Sequence, residues 1–285
     1  MGADMMNLII ITAPQTLLAV SAAGIGKAAA VVGITGLIIG LLLGAAAKLF
    51  AVDTDERESG VRELLPGNNC GGCGYAGCDG LAAAIVKGEA PVNACPVAGS
   101  AVHARIGEIM GRAAEEKERM TAYVTCAGTC DKIRLKYQYY GIADCKKLSL
   151  VPGRGEKECV YGCMGYGSCV RVCAFDAIHV KDGVAVVDRE KCVACGRCVA
   201  ECPNHLIELV PYRATYRVAC GSHAKGKAVR QACDAGCIGC GICVKQCEAG
   251  AITLTDQLAK IDYAKCTGCG KCAEKCPSKI IRKIL

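Results

Sequence analysis

"CIGCGICVKQC", residues 237 to 247, is the stretch that decides the fold. Its four cysteines are separated by two, two and three residues, a pattern open to a metal trap, a disulfide knot or a redox catalyst. "CTGCGKCAEKCP" follows at 266–277, and "CVACGRCVAECP" precedes it at 192–203. Disulfide partners usually close longer loops in secreted chains. Here most cysteines sit two or three residues apart, and their total, 25, is odd. Zinc is the stronger rival, because CxxC pairs build tetrahedral sites, but those sites typically take two close pairs set well apart in sequence. Three cysteines in CxxCxxC with a fourth before proline is the bacterial iron–sulfur spacing: three thiolates hold one cubane and the fourth reaches the neighbouring one. Repeated in pairs, the pattern points to iron–sulfur clusters rather than to zinc or disulfides.

The rest of the composition agrees. A chain of 285 residues has room for two or three modest domains. With no tryptophan and two phenylalanines, its small modules need staples beyond hydrophobic burial. The formal net charge is +7. A thiolate-ligated [4Fe-4S] cluster carries roughly −2, so five of them bring about −10 and leave the loaded chain slightly negative. The lysine and arginine excess then offsets cluster charge. No basic patch interleaved with aromatics accompanies it, so nucleic acid is not an expected partner.

Near the start, "AAAVVGITGLIIGLLLGAAA" at 28–47 lies in an uncharged run between Lys27 and Lys48. That length is enough to cross a bilayer as a helix. Gly36, Gly40 and Gly44 recur every fourth residue and put a smooth ridge on one face, of the kind that admits another membrane helix. The preceding uncharged segment, residues 5–26, is broken by Pro14 and Gln15 and leaves open a second span, an interfacial stretch or an over-long start. Asp4 and the lack of basic residues at the extreme N-terminus argue against a cleaved signal peptide. Lys48, Arg57 and Arg62 after the span, against Lys27 before it, place the soluble part in the cytoplasm by the positive-inside bias.

The expected fold class is α+β: an N-terminal transmembrane helix, a small [4Fe-4S] domain, then two ferredoxin-like two-cluster modules. The expected boundaries are a membrane anchor over 1–50 with its span at about 28–48, and a four-cysteine domain over 51–97. A connecting helix from about Ala98 to Met120 and a small cysteine-containing subdomain fill 98–158. The first module takes 159–209, a strand segment 210–236, and the second module 237–285. In the four-cysteine domain Cys70, Cys73 and Cys78 lie in a glycine-rich loop, Asp79 caps a helix over about Gly80 to Gly88, and Cys95 returns as the fourth ligand. The two-cluster logic crosses the ligands of each module. Cys159, Cys163 and Cys169 join Cys202, and Cys192, Cys195 and Cys198 join Cys173. Cys237, Cys240 and Cys243 join Cys276, and Cys266, Cys269 and Cys272 join Cys247. "CVYGCMGYGSCVRVCA" at 159–174 departs from the pattern, with gaps of three, five and three and no proline after its last cysteine.

Cys126, Cys130, Cys145, Cys220 and Cys233 remain, either as small buried residues or as ligands of one further metal site. "VTC" at 124–126 and "VAC" at 218–220 each end a short β-like run, and pairing of those runs would bring their thiols together. There is no GxxxxGK[ST] loop, no GxGxxG between a strand and a helix, and no Ser/His/Asp set. Catalytic residues, bound flavin and bound NAD are therefore not expected in this chain.

"KLFAVDTDERESGVRELLPGNNCGGCGYAGC" at 48–78, a membrane helix running into a cysteine-rich loop ahead of paired ferredoxin motifs, resembles the B subunits of Rnf electron-transport complexes. The likeness covers nearly the whole chain after about residue 30, and "KYQYYGIADC" at 136–145 is similar to the clostridial type. It implies an electron-transfer subunit of a translocase that oxidises ferredoxin, reduces NAD and moves Na⁺ or H⁺ outward. In such a complex this component is the cytoplasmic arm, receiving electrons from reduced ferredoxin and relaying them to membrane and NAD-binding partner subunits. The rival expectation is a membrane-tethered polyferredoxin feeding a hydrogenase or another redox enzyme.

Overall fold

The uncharged run after Lys27 folds as part of one long helix, α1 (Ala22–Leu49), in the computed structural model, which describes residues 22–50, 55–114 and 118–284. Within it Ala29–Leu49 has a mean hydropathy of 2.3 over its most apolar window, none of which is buried. Among the described residues this is the one helix long and apolar enough to cross a membrane. Val31, Leu37, Leu41 and Leu42 stand exposed, as lipid-facing side chains would. The flanks of Gly36, Gly40 and Gly44 are open. Of the 5–26 segment, residues 5–21 lie outside the described residues, and the remainder is the first turn of α1.

Residues from Asp55 onward form a separate unit. Its first layer is three helices, α2 (Glu56–Leu64), α3 (Gly77–Lys87) and α4 (Ser100–Met110). They bury Val61, Leu81, Ile85 and Ile106 almost completely. α3 begins a turn ahead of the sequence expectation, because Asn69 rather than Asp79 meets its free amides: the Cys78 N–H donates to Asn69 Oδ1 at 2.8 Å. Asp79 instead pairs with Arg62 of α2 and ties the two helices together. α4 is shorter than the expected connecting helix, since Gly111 turns left-handed at φ +62° and ends it.

The remainder consists of two similar halves. The first contains β1 (Met120–Val124), α5 (Cys145–Leu148), α6 (Ser168–Arg171), β2 (Ile178–Lys181), β3 (Val184–Val187), α7 (Arg197–Glu201) and β4 (Ile207–Pro211). The second contains β5 (Tyr216–Val218), α8 (Gly226–Ala232), α9 (Ile242–Lys245), β6 (Ile252–Thr255), β7 (Leu258–Ile261), α10 (Lys271–Glu274) and β8 (Ile281–Lys283). Each half has a central antiparallel hairpin, β2–β3 or β6–β7. Each also has a two-stranded sheet joining its first strand to its last. β1 pairs with β4, Met120 opposite Pro211, and β5 pairs with β8, Tyr216 opposite Lys283. The runs ending at Val124 and Val218 thus do not pair with each other, contrary to the sequence expectation. Each is claimed by the closing strand of its own half. The short helices α6, α7, α9 and α10 all follow a left-handed glycine, Gly167, Gly196, Gly241 or Gly270, which turns the loop sharply before the next cysteine.

Candidate metal centres

All 25 cysteines are free thiols, and the fold gathers all but one into groups of four. Cys70, Cys73, Cys78 and Cys95 come from the loop before α3, its first turn and the segment after it. Cys78 and Cys95 are buried; burial pushes the Cys95 thiol up, and Cys73 and Cys70 add to the shift. Cys173, Cys192, Cys195 and Cys198 line one cavity with Ile178 and Val187. There the Ala122 N–H donates to Cys192 Sγ at 3.3 Å and the Ala177 N–H to Cys173 Sγ at 3.4 Å. Burial pushes the Cys198 thiol to about 11. These two groups adjoin: a Cβ on Gly72 would meet the Cys195 carbonyl oxygen at 2.7 Å, so only glycine lets the backbones approach so closely.

The second half repeats the arrangement. Cys237, Cys240, Cys243 and Cys276 line one cavity, and Cys247, Cys266, Cys269 and Cys272 line another with Tyr216. Burial raises the Cys243 thiol to about 11 and pushes Cys272 up. The Ala251 N–H donates to Cys247 Sγ at 3.3 Å. Each cavity brings together the cysteines of one expected crossed set. Cys240 and Cys269 are exposed, so both sites have an edge open to solvent.

The irregular motif behaves differently. Cys163, Cys169 and Cys202 share a cavity with Cys145, not with Cys159. The five residues between Cys163 and Cys169 form a wide loop, and α5 fills the corner that the loop leaves. The Cys145 N–H donates to Ser168 Oγ at 2.8 Å, Ser168 donates to Asp144 Oδ2 at 3.2 Å, and Arg171 pairs with Asp144. Burial drives the Cys169 thiol to about 12, with Cys163 and Cys145 next in effect. The loop is stitched by the buried Lys157, whose Nζ donates to the carbonyls of Cys163 at 2.8 Å and Gly183 at 2.7 Å. Asn204 donates to the Gly162 carbonyl at 2.7 Å. Cys159 turns away, and Cys126, Cys159, Cys220 and Cys233 line a separate cavity of about 240 Å³. Cys130 alone is left over, exposed, with its N–H donating to the Asp182 carbonyl at 2.9 Å.

The donor sets suit iron–sulfur cubanes. Each site offers four thiols, and backbone N–H groups aimed at sulfur stabilise thiolate charge and tune its potential. Among the described residues no group of three or more His, Cys, Asp or Glu side chains could hold a single metal ion. With the thiols raised by burial, loading a cluster must release their protons.

Residues 65–97 match the family described as "Putative Fe-S cluster", 167–213 the "LdpA Fe-S cluster-binding domain" and 236–280 the "4Fe-4S dicluster domain". The chain is 49% identical over 236 residues to the B subunit of the Na⁺-translocating ferredoxin:NAD⁺ oxidoreductase complex of Acetobacterium woodii, covering 82% of this chain and 71% of that one. It is 43% identical to the B subunit of the ion-translocating oxidoreductase complex of Methanosarcina acetivorans, over 86% of this chain and 93% of the relative. With the B subunit of the proton-translocating ferredoxin:NAD⁺ oxidoreductase complex of Clostridium ljungdahlii it shares 39% identity, over 81% and 82% of the two chains. One apolar helix, paired cysteine cages and relatives matched over most of their length lead to one conclusion: the chain belongs to the B-subunit family of Rnf electron-transport complexes.

Proposed function

We propose that this chain is the electron-carrying arm of a membrane-bound ferredoxin:NAD⁺ oxidoreductase that translocates Na⁺ or H⁺. It takes electrons from reduced ferredoxin and passes them singly to membrane and NAD-binding partner subunits. A [4Fe-4S] cluster, once bound, supplies one-electron oxidation and reduction; the residues of this chain fix where such clusters sit and how polar their surroundings are. α1 is read as a single span, with Lys48, Arg57 and Arg62 holding the soluble unit on the cytoplasmic side.

The observation that carries this reading is the way neighbouring sites are linked. Cys169 and Cys173, Cys198 and Cys202, Cys243 and Cys247, and Cys272 and Cys276 each stand four residues apart and serve adjoining sites. Four residues span at most about 14 Å even when extended. Sites strung so closely make a wire.

The test is anaerobic purification of the chain with its native partners. Co-purification with membrane and NAD-binding oxidoreductase subunits, brown colour and about 20 or more irons per chain are expected. Recovery with a hydrogenase and without such subunits would overturn the reading.

A further inference from the structure

We propose that the buried ammonium of Lys157 sets the reduction potential of the site formed by Cys145, Cys163, Cys169 and Cys202, raising it so that a bound cluster is more readily reduced. The proposal rests on the iron–sulfur relay reading and deepens it by naming a tuning residue. Lys157 is 7% exposed, and among the described residues the one other buried cation is Arg217. Its sequence setting, "RGEKE" at 154–158, reads as a solvated charged run. The backbone sends it inward. Lys157 bridges to Leu135 in the antiparallel sense, the Lys136 N–H donating to the Glu156 carbonyl and the Glu158 N–H to the Arg134 carbonyl, each at 2.7 Å. Along an extended chain successive side chains point to opposite faces, so Glu158 is exposed while Lys157 is covered.

Inside, the ammonium meets dipoles but no counter-ion. Its Nζ donates to the Cys163 and Gly183 carbonyls, and no carboxylate among the described residues pairs with it. The neighbouring Glu156 accepts instead from the Tyr166 hydroxyl at 3.1 Å. The turn between β2 and β3 closes over the amine. A Cβ on Gly183 would stand 3.5 Å from Lys157 Nζ and 2.6 Å from Cys130 Sγ, so bare backbone forms the cover. If two bonds to carbonyls were all the loop required, a neutral donor would hold it without the cost of desolvating a charge. A buried cation is costly unless a negative charge faces it.

The group that faces it is the thiol site. Cys163 supplies both the carbonyl that Lys157 holds and one sulfur of that site, so covalent geometry keeps Nζ within about 8 Å of the sulfur. A thiolate-ligated [4Fe-4S] cluster gains one negative charge when it accepts an electron, with no bond made or broken. A fixed positive charge at that range, away from water and from any carboxylate, stabilises the reduced state more than the oxidised one. Lys157 thus acts on the electron held at this site, and its two carbonyl bonds fix the distance from which it acts.

Redox titration of the full, iron-loaded chain, followed by paramagnetic resonance, tests this. Lys157→Gln removes the charge and keeps an N–H donor. At a fixed potential the ratio of reduced to oxidised cluster should fall roughly tenfold, about 59 mV for one electron, in the signal that Cys145→Ala alters. The signal that Cys276→Ala alters, in the second half, should stay where it is. Lys157→Arg keeps the charge and should keep the potential. Unmoved potentials in Lys157→Gln with full iron content, or an equal fall in both halves, would overturn the proposal and leave the relay reading intact. Near-absence of iron in the unaltered chain would overturn both. Because Lys157→Gln can also loosen the loop, iron analysis accompanies the titration. Loss of about four irons there, with full retention in Lys157→Arg, supports the charge as what the site requires. The same loss in both variants would make Lys157 a strut of the loop and overturn the tuning role.

Discussion

The two similar halves share one plan, yet they group their cysteines differently. The second draws eight cysteines for its two sites from the single stretch 237–276. The first keeps one site within 173–198, but its other site recruits Cys145 from α5, outside the repeated motif. The cause is visible in the loops. "CIGCGIC" turns tightly around one corner of a cage through Gly239 and Gly241, both left-handed. "CVYGCMGYGSC" is too long to do so, and the width it adds separates Cys159 from Cys163 and opens a place for each in a different site. A lengthened motif is therefore not a damaged one. It places Cys159 in one cavity and brings the distant Cys145 into the other.

The sharpest way to break this comparison is Cys145→Ala. If Cys145 completes the site of Cys163, Cys169 and Cys202, the variant loses about four irons per chain, or keeps a three-iron cluster with an altered resonance. Cys276→Ala, at the fourth position of a regular motif, should behave in the same way. Full iron content in Cys145→Ala would restore the regular grouping, with Cys159 as the ligand. Iron analysis of the two variants side by side checks the point.

How much of this was legible beforehand follows the same divide. The regular motifs disclosed their crossed ligand sets because every ligand lies within a few residues of the next. The hairpins begin in short apolar runs that follow the cysteine motifs, "AIHV" and "AITL", but the pairing of their strands is seen only in the structure. The place of Cys145 was not legible, since it depends on a contact with Ser168 far along the chain and on the pairing of Asp144 with Arg171. Nor was the grouping of Cys126 with Cys220 legible from the right cause. Their strands do not pair with each other; each thiol instead follows a strand held by its own half. One arithmetical signal was available: 25 cysteines are six fours and one, and the one is the exposed Cys130.

A smaller effect is expected where the four-cysteine domain meets the first half. Gly72→Ala places a methyl 2.7 Å from the Cys195 carbonyl oxygen, so one backbone must move. Overpacking of this kind costs about 1–3 kcal/mol. Both sites keep four thiols, so iron content should not change, whereas electron exchange between these two groups should slow severalfold. Time-resolved reduction checks it, and a rate equal to that of the unaltered chain would show that the contact does not set their spacing.

The smallest effect concerns charge rather than ligation. Arg217 is fully buried, its Nη2 donates to the Pro211 carbonyl at 3.1 Å, and among the described residues its Nε and Nη1 have no hydrogen-bond partner. Its guanidinium lies 5.1 Å from the Tyr123 ring centroid, and burial lowers its pKa. A cation so placed is costly unless a negative charge faces it. Cys220 lies three residues on, within roughly 11 Å of chain. A cluster there would provide that charge. Across about 10 Å at an effective dielectric of about 20, the attraction is about 1.7 kcal/mol, on the order of 70 mV for one electron. Removing the positive charge makes an added electron less welcome, so Arg217→Met should lower the potential of a cluster held at Cys220 by tens of millivolts, read by redox titration. The iron-free chain should respond in the opposite sense: there the guanidinium faces no cluster, and methionine relieves its desolvation, raising stability in a denaturant titration. If the potential stayed fixed while the iron-free chain gained stability, Arg217 would be a burden of the fold with no bearing on the wire.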